Sequence, residues 1–159
     1  MDRKEIFWLV GTVGLVLVLT FVLFGLDGFR ADSTFDYNIH DTYFVIADIH
    51  IVPLLVVLTF FTVYLFRTIR QKFKNFTVNV ILIIATILFV LVLGKTIVLL
   101  DLFGKPTINT EFNKDENPVG YALKILSDSM FIVQTGLLVF LAYTGYKTGQ
   151  NYIAKENKH

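Results

Sequence analysis

The chain has 159 residues, of which 55% are hydrophobic, and this is more apolar material than a soluble domain of that length needs. Its formal net charge of +1 offers no basic surface for a nucleic acid. It contains no cysteine, which excludes disulfides, thiolate catalysis and sulfur-ligated metals. The composition therefore predicts an integral membrane protein whose chemistry would have to use histidine, carboxylates or the backbone.

Four apolar segments are each long enough to cross a hydrocarbon core of ~30 Å. We predict an all-α, integral membrane four-helix bundle that forms one membrane domain over residues 1–159. The predicted helices cover about residues 6–26, 43–66, 76–100 and 130–146. The predicted outer loops are 27–42 and 101–129, and Asn117-Pro118 in the second of them is typical of a helix start. We interpret the first segment as a retained helix; the alternative is a cleaved secretory signal.

The basic residues predict the orientation of the bundle. Most lysines and arginines lie in the N-terminal segment, in the turn at residues 67–75 and in the C-terminal tail, and fewer lie in the two opposite loops. By the positive-inside rule, both termini are expected in the cytoplasm. The expected location is the bacterial inner (cytoplasmic) membrane, with the lipid bilayer as the environment and no nucleic acid as a partner.

The stretch at residues 35–55 carries ionisable groups where membrane helices should lie, and such groups indicate a functional site. Asp48 and His50 are two residues apart, so on a helix they point about 200° from each other and cannot bind one metal together. We expect Asp48, a turn and a half below the outer boundary, to pair with Lys95 at comparable depth. The alternative is that Lys95 reaches the membrane surface on its long stem.

Two further positions in this stretch have an alternative interpretation. His40 and Asp41 are expected at the outer membrane surface, where they are candidates for a divalent-ion site. The alternative is a solvated histidine beside an aspartate that caps a helix. For His50, the alternatives are a ligand and a hydrogen-bonded packing residue.

The segment HDTYFVIADIH, from His40 to His50, resembles the haem-ligand segment of subunit I of the haem–copper oxidases, the cytochrome c and quinol oxidases. In that family the segment begins on the outer side and runs inward as the tenth of twelve helices, so the four predicted helices would resemble the last four. The resemblance implies that His40 and Asp41 lie near a magnesium site and that His50 stands at the low-spin haem ligand. The high-spin haem ligand position holds Asp48 instead of histidine.

The resemblance does not imply an oxygen reductase, because the chain has three histidines and lacks the copper ligands. We therefore expect a non-catalytic accessory or structural subunit of a larger, respiratory membrane complex. The alternative is a haem-binding electron-transfer or haem-handling protein in which His50 is one axial ligand and a second copy or a partner supplies the other. A third interpretation, a proton or ion path through Asp48, His50 and Lys95, is weaker because no ionisable residue in the cytoplasmic half continues it.

Overall fold

The computed structural model describes residues 3–26, 29–30, 34–39, 42–104 and 118–156. Four helices and one hairpin make up this part of the chain. In chain order they are α1 (Arg3–Phe24), β1 (Thr34–Ile39), β2 (Thr42–Ala47), α2 (Asp48–Arg70), α3 (Phe76–Gly104) and α4 (Pro118–Glu156). Each helix is long and apolar enough to cross a membrane, so the prediction of four helices of this kind is confirmed.

The last helix is much longer than the apolar pattern predicted. Helix α4 has 39 residues, which at the ~1.5 Å rise of an α-helix is about 58 Å, nearly twice the hydrocarbon core. It begins at Pro118, as the Asn117-Pro118 pattern predicted, and continues beyond Tyr146 to Glu156. Residues 118–129 are therefore helical and do not form part of an outer loop. Hydropathy locates the segment that lipid surrounds, and a helix can continue past it into water.

The second helix begins later than predicted, at Asp48 and not at Tyr43. The residues before it form the antiparallel hairpin, in which Thr34 pairs with Ala47 and Ile39 with Thr42. The second strand, TYFVIA, is rich in β-branched and aromatic residues, which favour a strand. Because this run is also apolar, it continues the hydropathy of the helix that follows and conceals the boundary.

Side-chain contacts place the beginning of α1 and the end of α4 at the same end of the bundle. Glu5 of α1 contacts Arg67 near the end of α2, and Asn151 of α4 contacts Phe73 in the α2–α3 turn. This arrangement is an up-and-down bundle. One short connection, the α2–α3 turn, lies at that end, which we call the turn end. Which side of the membrane the turn end faces stays a prediction from the basic residues.

That orientation can be tested with single cysteines, because the native chain has none. We expect Ala122→Cys, exposed near the start of α4, to react in intact cells with a membrane-impermeant thiol reagent. Gln150→Cys, exposed at the turn end, should react only after the membrane is permeabilised. The reverse pattern would invert the orientation, and equal labelling of both would contradict the up-and-down topology.

The core of the bundle is formed where α3 packs between α2 and α4. The ring of Phe61 on α2 lies 5.4 Å from that of Phe89 on α3 and 6.0 Å from that of Phe140 on α4. Helix α1 makes fewer contacts, and it packs mainly on α2. Its buried residues after the first turn form a single stripe at a spacing of four: Thr12, Val16 and Thr20. Helix α1 is thus the peripheral member of the bundle.

A polar contact inside the apolar region fixes α3 against α4. The Gln134 side-chain amide donates a hydrogen bond of 3.1 Å to the Val90 carbonyl. A Cβ added at Gly94 would lie 3.2 Å from the same Gln134 nitrogen, so the glycine leaves room for this amide. Since unpaired polar groups are costly in lipid, the contact favours one register of the two helices.

We expect Gly94→Ala to be less favourable than Gly136→Ala by about 0.5–1 kcal/mol. Alanine is favoured over glycine in a helix by about 1 kcal/mol, and an added Cβ at Gly136 meets no atom within 4 Å. At Gly94 that gain is offset by contact with the Gln134 amide. The free energy of unfolding in mixed detergent micelles measures both variants. In a Gln134→Ala background the difference should disappear, and its persistence would contradict the assigned contact.

Candidate functional site

The positions that resemble the oxidase segment are divided between the hairpin and the start of α2. His40 and Asp41 lie outside the described residues, between the paired strand positions Ile39 and Thr42. The proposal of an outer divalent-ion site at this pair therefore stays a prediction. The backbone from Thr42 to Ala47 is extended, whereas the corresponding segment of the oxidase family is helical.

Asp48 and His50 are the first and third residues of α2, so both lie in its first turn. The helix that was expected to begin at Tyr43 begins at Asp48, because residues 42–47 form a strand. The depth of Asp48 below the outer membrane boundary stays a prediction. The side chains of Asp48 and His50 lie outside the described part of the structure, so a ligand role for His50 and a pairing of Asp48 stay predictions.

Lys95, the proposed partner of Asp48, is an exposed residue of α3. A double-mutant cycle tests the pairing. If the two charges pair, Asp48→Leu alone should destabilise the protein more than Asp48→Leu combined with Lys95→Leu, because the single change leaves one charge unpaired. The free energy of unfolding of the three variants and the native protein gives the coupling. Additive effects would refute the pair and favour a lysine that reaches the membrane surface.

A haem, which the resemblance implies, does not fit the described residues as a bis-histidine site. Within the described ranges, His50 is the only histidine. No group of three or more His, Cys, Asp or Glu residues in those ranges is placed to hold a metal ion. The described part of the chain could thus contribute one histidine ligand at most.

The structure instead reveals a buried charged contact at the turn end. Arg67 Nη2 donates to Glu5 Oε1 at 2.6 Å, with the two side chains 9% and 4% exposed. The Asn75 amide donates to the same Glu5 oxygen at 3.0 Å. The Arg67 guanidinium also lies over the Trp8 ring, 5.1 Å from its centroid, so the face of the ring attracts this cation. These residues connect the beginning of α1, the end of α2 and the α2–α3 turn.

More polar side chains lie at the same end of the bundle, on the last two turns of α2, in the α2–α3 turn and in the first turn of α3. Together with this contact they form what we call the polar cluster. Its members are Glu5, Tyr64, Arg67, Thr68, Gln71, Asn75 and Asn79. Tyr64 and Thr68 are fully buried, and Asn79 is 1% exposed. Six buried polar atoms of the cluster have no hydrogen-bond partner among the described residues: Glu5 Oε2, Tyr64 Oη, Arg67 Nη1, Thr68 Oγ1, Gln71 Oε1 and Asn79 Oδ1. This end of the bundle therefore has the capacity to bind further donors and acceptors.

The α2–α3 turn that carries part of the cluster has a strained backbone held from two sides. Lys72 and Phe73 have φ values of 51° and 60°, in the left-handed region that residues other than glycine rarely adopt. The Phe73 carbonyl accepts hydrogen bonds from the Asn79 amide at 2.8 Å and the Asn151 amide at 2.9 Å. Helix α3 then begins after Asn75, whose Oδ1 accepts from two backbone amides of its first turn. Asparagines on α3 and α4 thus fix the turn.

The sequence prediction missed the Glu5–Arg67 pair because it treated both residues as membrane flanks. Arg67 contributed only to the count of basic residues, and Glu5 lay one residue before the predicted first helix. A signal was nevertheless present. Consecutive helices that cross a membrane alternate in direction, so the start of the first and the end of the second lie at the same end. An acid among the basic residues there has partners. Asn79, an uncharged amide in an apolar run, gave no such signal.

A second polar contact lies at the opposite end of the bundle. The Ser127 hydroxyl of α4 donates to Asp101 Oδ1 of α3 at 2.7 Å. A cleft of about 470 Å³ opens beside it, with Lys124 and Asp128 among its lining residues. Because Asp101 is exposed, we interpret this contact as one that joins the ends of α3 and α4 near water.

The polar contacts described above mainly join the helices and the α2–α3 turn of the chain to one another. Glu5 and Arg67 neutralise each other, and the asparagines bind the backbone of the turn. Comparison of the chain with protein-family models, with curated proteins and with solved structures finds no significant match.

Proposed function

We propose that this chain is a non-catalytic subunit of a larger membrane complex, in which its helices occupy a fixed place beside those of partner subunits. The observation that carries the proposal is that the buried charges of the turn end bind each other. Glu5 and Arg67 contact each other and fix the peripheral helix α1 on the rest of the bundle. A catalytic or transport site would instead direct such groups toward a substrate.

The attachment of α1 also supports a role in assembly. Only a narrow stripe of α1 is buried on the other helices, and the large apolar residues on its remaining surface are exposed. In lipid, apolar contact alone does not drive helix association, so a peripheral helix needs polar or closely packed contacts to keep its place. The charged contact at Glu5 supplies this on one side, and the other side is free for lipid or for a partner helix.

The kind of complex is proposed from the resemblance alone. The segment from His40 to His50 is similar to that of oxidase subunit I, so we propose a respiratory complex of the inner membrane as the host. Asp48 at the high-spin haem position and the missing copper ligands make the chain an accessory member of such a complex. Haem binding at His50 is the alternative function that the same experiment tests.

The test is to purify the chain from its native membrane in mild detergent and to measure the size, composition and absorption spectrum of the preparation. We expect a particle well above the 18.2 kDa chain in its micelle, with a partner in fixed ratio. A monomer without partners would refute the subunit role. A haem absorption band that His50→Ala abolishes in the isolated chain would assign the protein to the haem-binding class instead.

Glycine-to-leucine variants make this test specific for helix packing. Five glycines within helices have open space where a Cβ would be added, so leucine should leave the chain's own fold intact: Gly11, Gly14, Gly136, Gly145 and Gly149. If a partner helix packs closely on one of these faces, leucine there should release the partner without lowering thermal stability. Gly94→Leu is the contrasting control, because its side chain would collide with Gln134 inside the chain. Retention of the partner by all five variants would contradict close helix packing at these glycines.

A further inference from the structure

We propose that the cleft between the α2–α3 turn and the end of α4 binds the headgroup of a membrane phospholipid in which the phosphate is followed by a hydrogen-bond donor. The cleft has a volume of about 700 Å³, which is in the range of small-molecule sites. It lies at the turn end, among residues of the basic turn and of the two helices that border it. Its lining includes Gln71, Lys74, Asn79, Asn151 and Tyr152.

Two of the lining residues have a buried acceptor atom that lacks a hydrogen-bond donor. Asn79 is 1% exposed, and its Oδ1 has no hydrogen-bond partner among the described residues, although its amide nitrogen is bound to the Phe73 carbonyl. Gln71 Oε1 is likewise buried and without a partner there. Both atoms are acceptors only, and an unsatisfied buried acceptor is costly. Because both residues line the cleft, an ammonium or hydroxyl group bound there would satisfy these acceptors once the two side chains turn toward it.

The other lining residues suit the phosphate and the apolar part of the lipid. Lys74 is exposed and lines the cleft, so its ammonium group can pair with a phosphate. The rings of Phe76 and Tyr152, both in the lining, lie 5.5 Å apart, and aromatic residues favour the membrane interface. The phosphate is not expected at the N-terminus of α3, because Asn75 already caps it.

Ethanolamine and glycerol headgroups both have a phosphate and a terminal donor, whereas choline has the phosphate and no donor. The test uses the full chain in mild detergent, loaded with phosphatidylethanolamine, phosphatidylglycerol or phosphatidylcholine and analysed for bound lipid by native mass spectrometry. We expect one or both donor lipids to be retained about fivefold or more over phosphatidylcholine. Competition between the two donor lipids then identifies the natural headgroup. Equal retention of all three lipids would overturn the proposal.

Variants separate the two parts of the site. Gln71→Leu should reduce the preference for donor lipids over phosphatidylcholine, and Lys74→Gln should weaken the retention of all three. Lys72→Gln is the matched control, because Lys72 is an exposed lysine of the same turn that does not line the cleft. Melting curves establish that each variant is folded. If Lys72→Gln weakened retention as much as Lys74→Gln, the binding would be a diffuse attraction to the basic turn, and the assigned site would be wrong.

Discussion

Replacing Arg67 with methionine should lower the free energy of unfolding by about 3–5 kcal/mol, because it leaves the Glu5 carboxylate buried without its charged partner. Glu5 is 3% exposed, and its other hydrogen bond comes from the neutral Asn75 amide, which cannot compensate a full charge. The change also removes the cation over the Trp8 ring. Unfolding in mixed detergent micelles measures the effect.

The matched control for this prediction is Arg70→Met. Arg70 lies three residues later on the same helix and is exposed, so the change should stay within about 0.5 kcal/mol. The double variant Glu5→Leu, Arg67→Met removes both charges and should be more stable than Arg67→Met alone. If the double variant were less stable than the native protein by the sum of the two single losses, the two side chains would not interact.

The same pair indicates why α1 is part of the bundle. The apolar stripe of α1 is narrow, and the Glu5 contact joins it to two other elements, α2 and the α2–α3 turn. Loss of the contact should therefore loosen α1 before the packing of α3 against α2 and α4 is affected. Protease access to the chain between α1 and α2 in Arg67→Met would detect such local opening.

The sequence was sufficient for the number and class of the helices because each span must satisfy its backbone internally and present about 20 apolar residues to lipid. It was insufficient for the helix ends. Helix α4 continues through Lys124 at one end and Asn151 at the other, where polar residues interrupt the apolar run and hydropathy no longer reports on the helix. At α2 the error had the opposite sign, because the apolar strand from Thr42 to Ala47 was counted as helix.

The polar cluster could be predicted only in part, for a physical reason. The Glu5–Arg67 pair joins residues 62 apart in the chain, and only the topology of the bundle brings them together. Positive-inside counting indicates where arginines lie relative to the membrane, whereas the partner of one arginine depends on how the helices are rotated. The side chains of Asp48 and His50, on which the sequence analysis concentrated, lie outside the described residues, so their roles stay predictions.

The α2–α3 turn should withstand the loss of one of its two asparagines and be damaged by the loss of both. Asn79 and Asn151 donate to the same Phe73 carbonyl, so Asn79→Leu or Asn151→Leu alone leaves that acceptor bound and should cost about 1 kcal/mol. The double variant leaves the carbonyl without either donor while Lys72 and Phe73 keep their left-handed conformation, and we expect a cost of about 3–4 kcal/mol.

A loss larger than the sum of the single effects is the expected signature of two donors that substitute for each other. The free energy of unfolding of the four proteins in the cycle measures it. Thr77→Val is a control that changes a lining residue of the same cleft without removing a donor to the carbonyl. Strictly additive effects of the two asparagine changes would mean that each amide stabilises the protein independently. In that case the strained turn would be held chiefly by its own backbone hydrogen bonds, such as the one from Phe73 N to the Thr68 carbonyl.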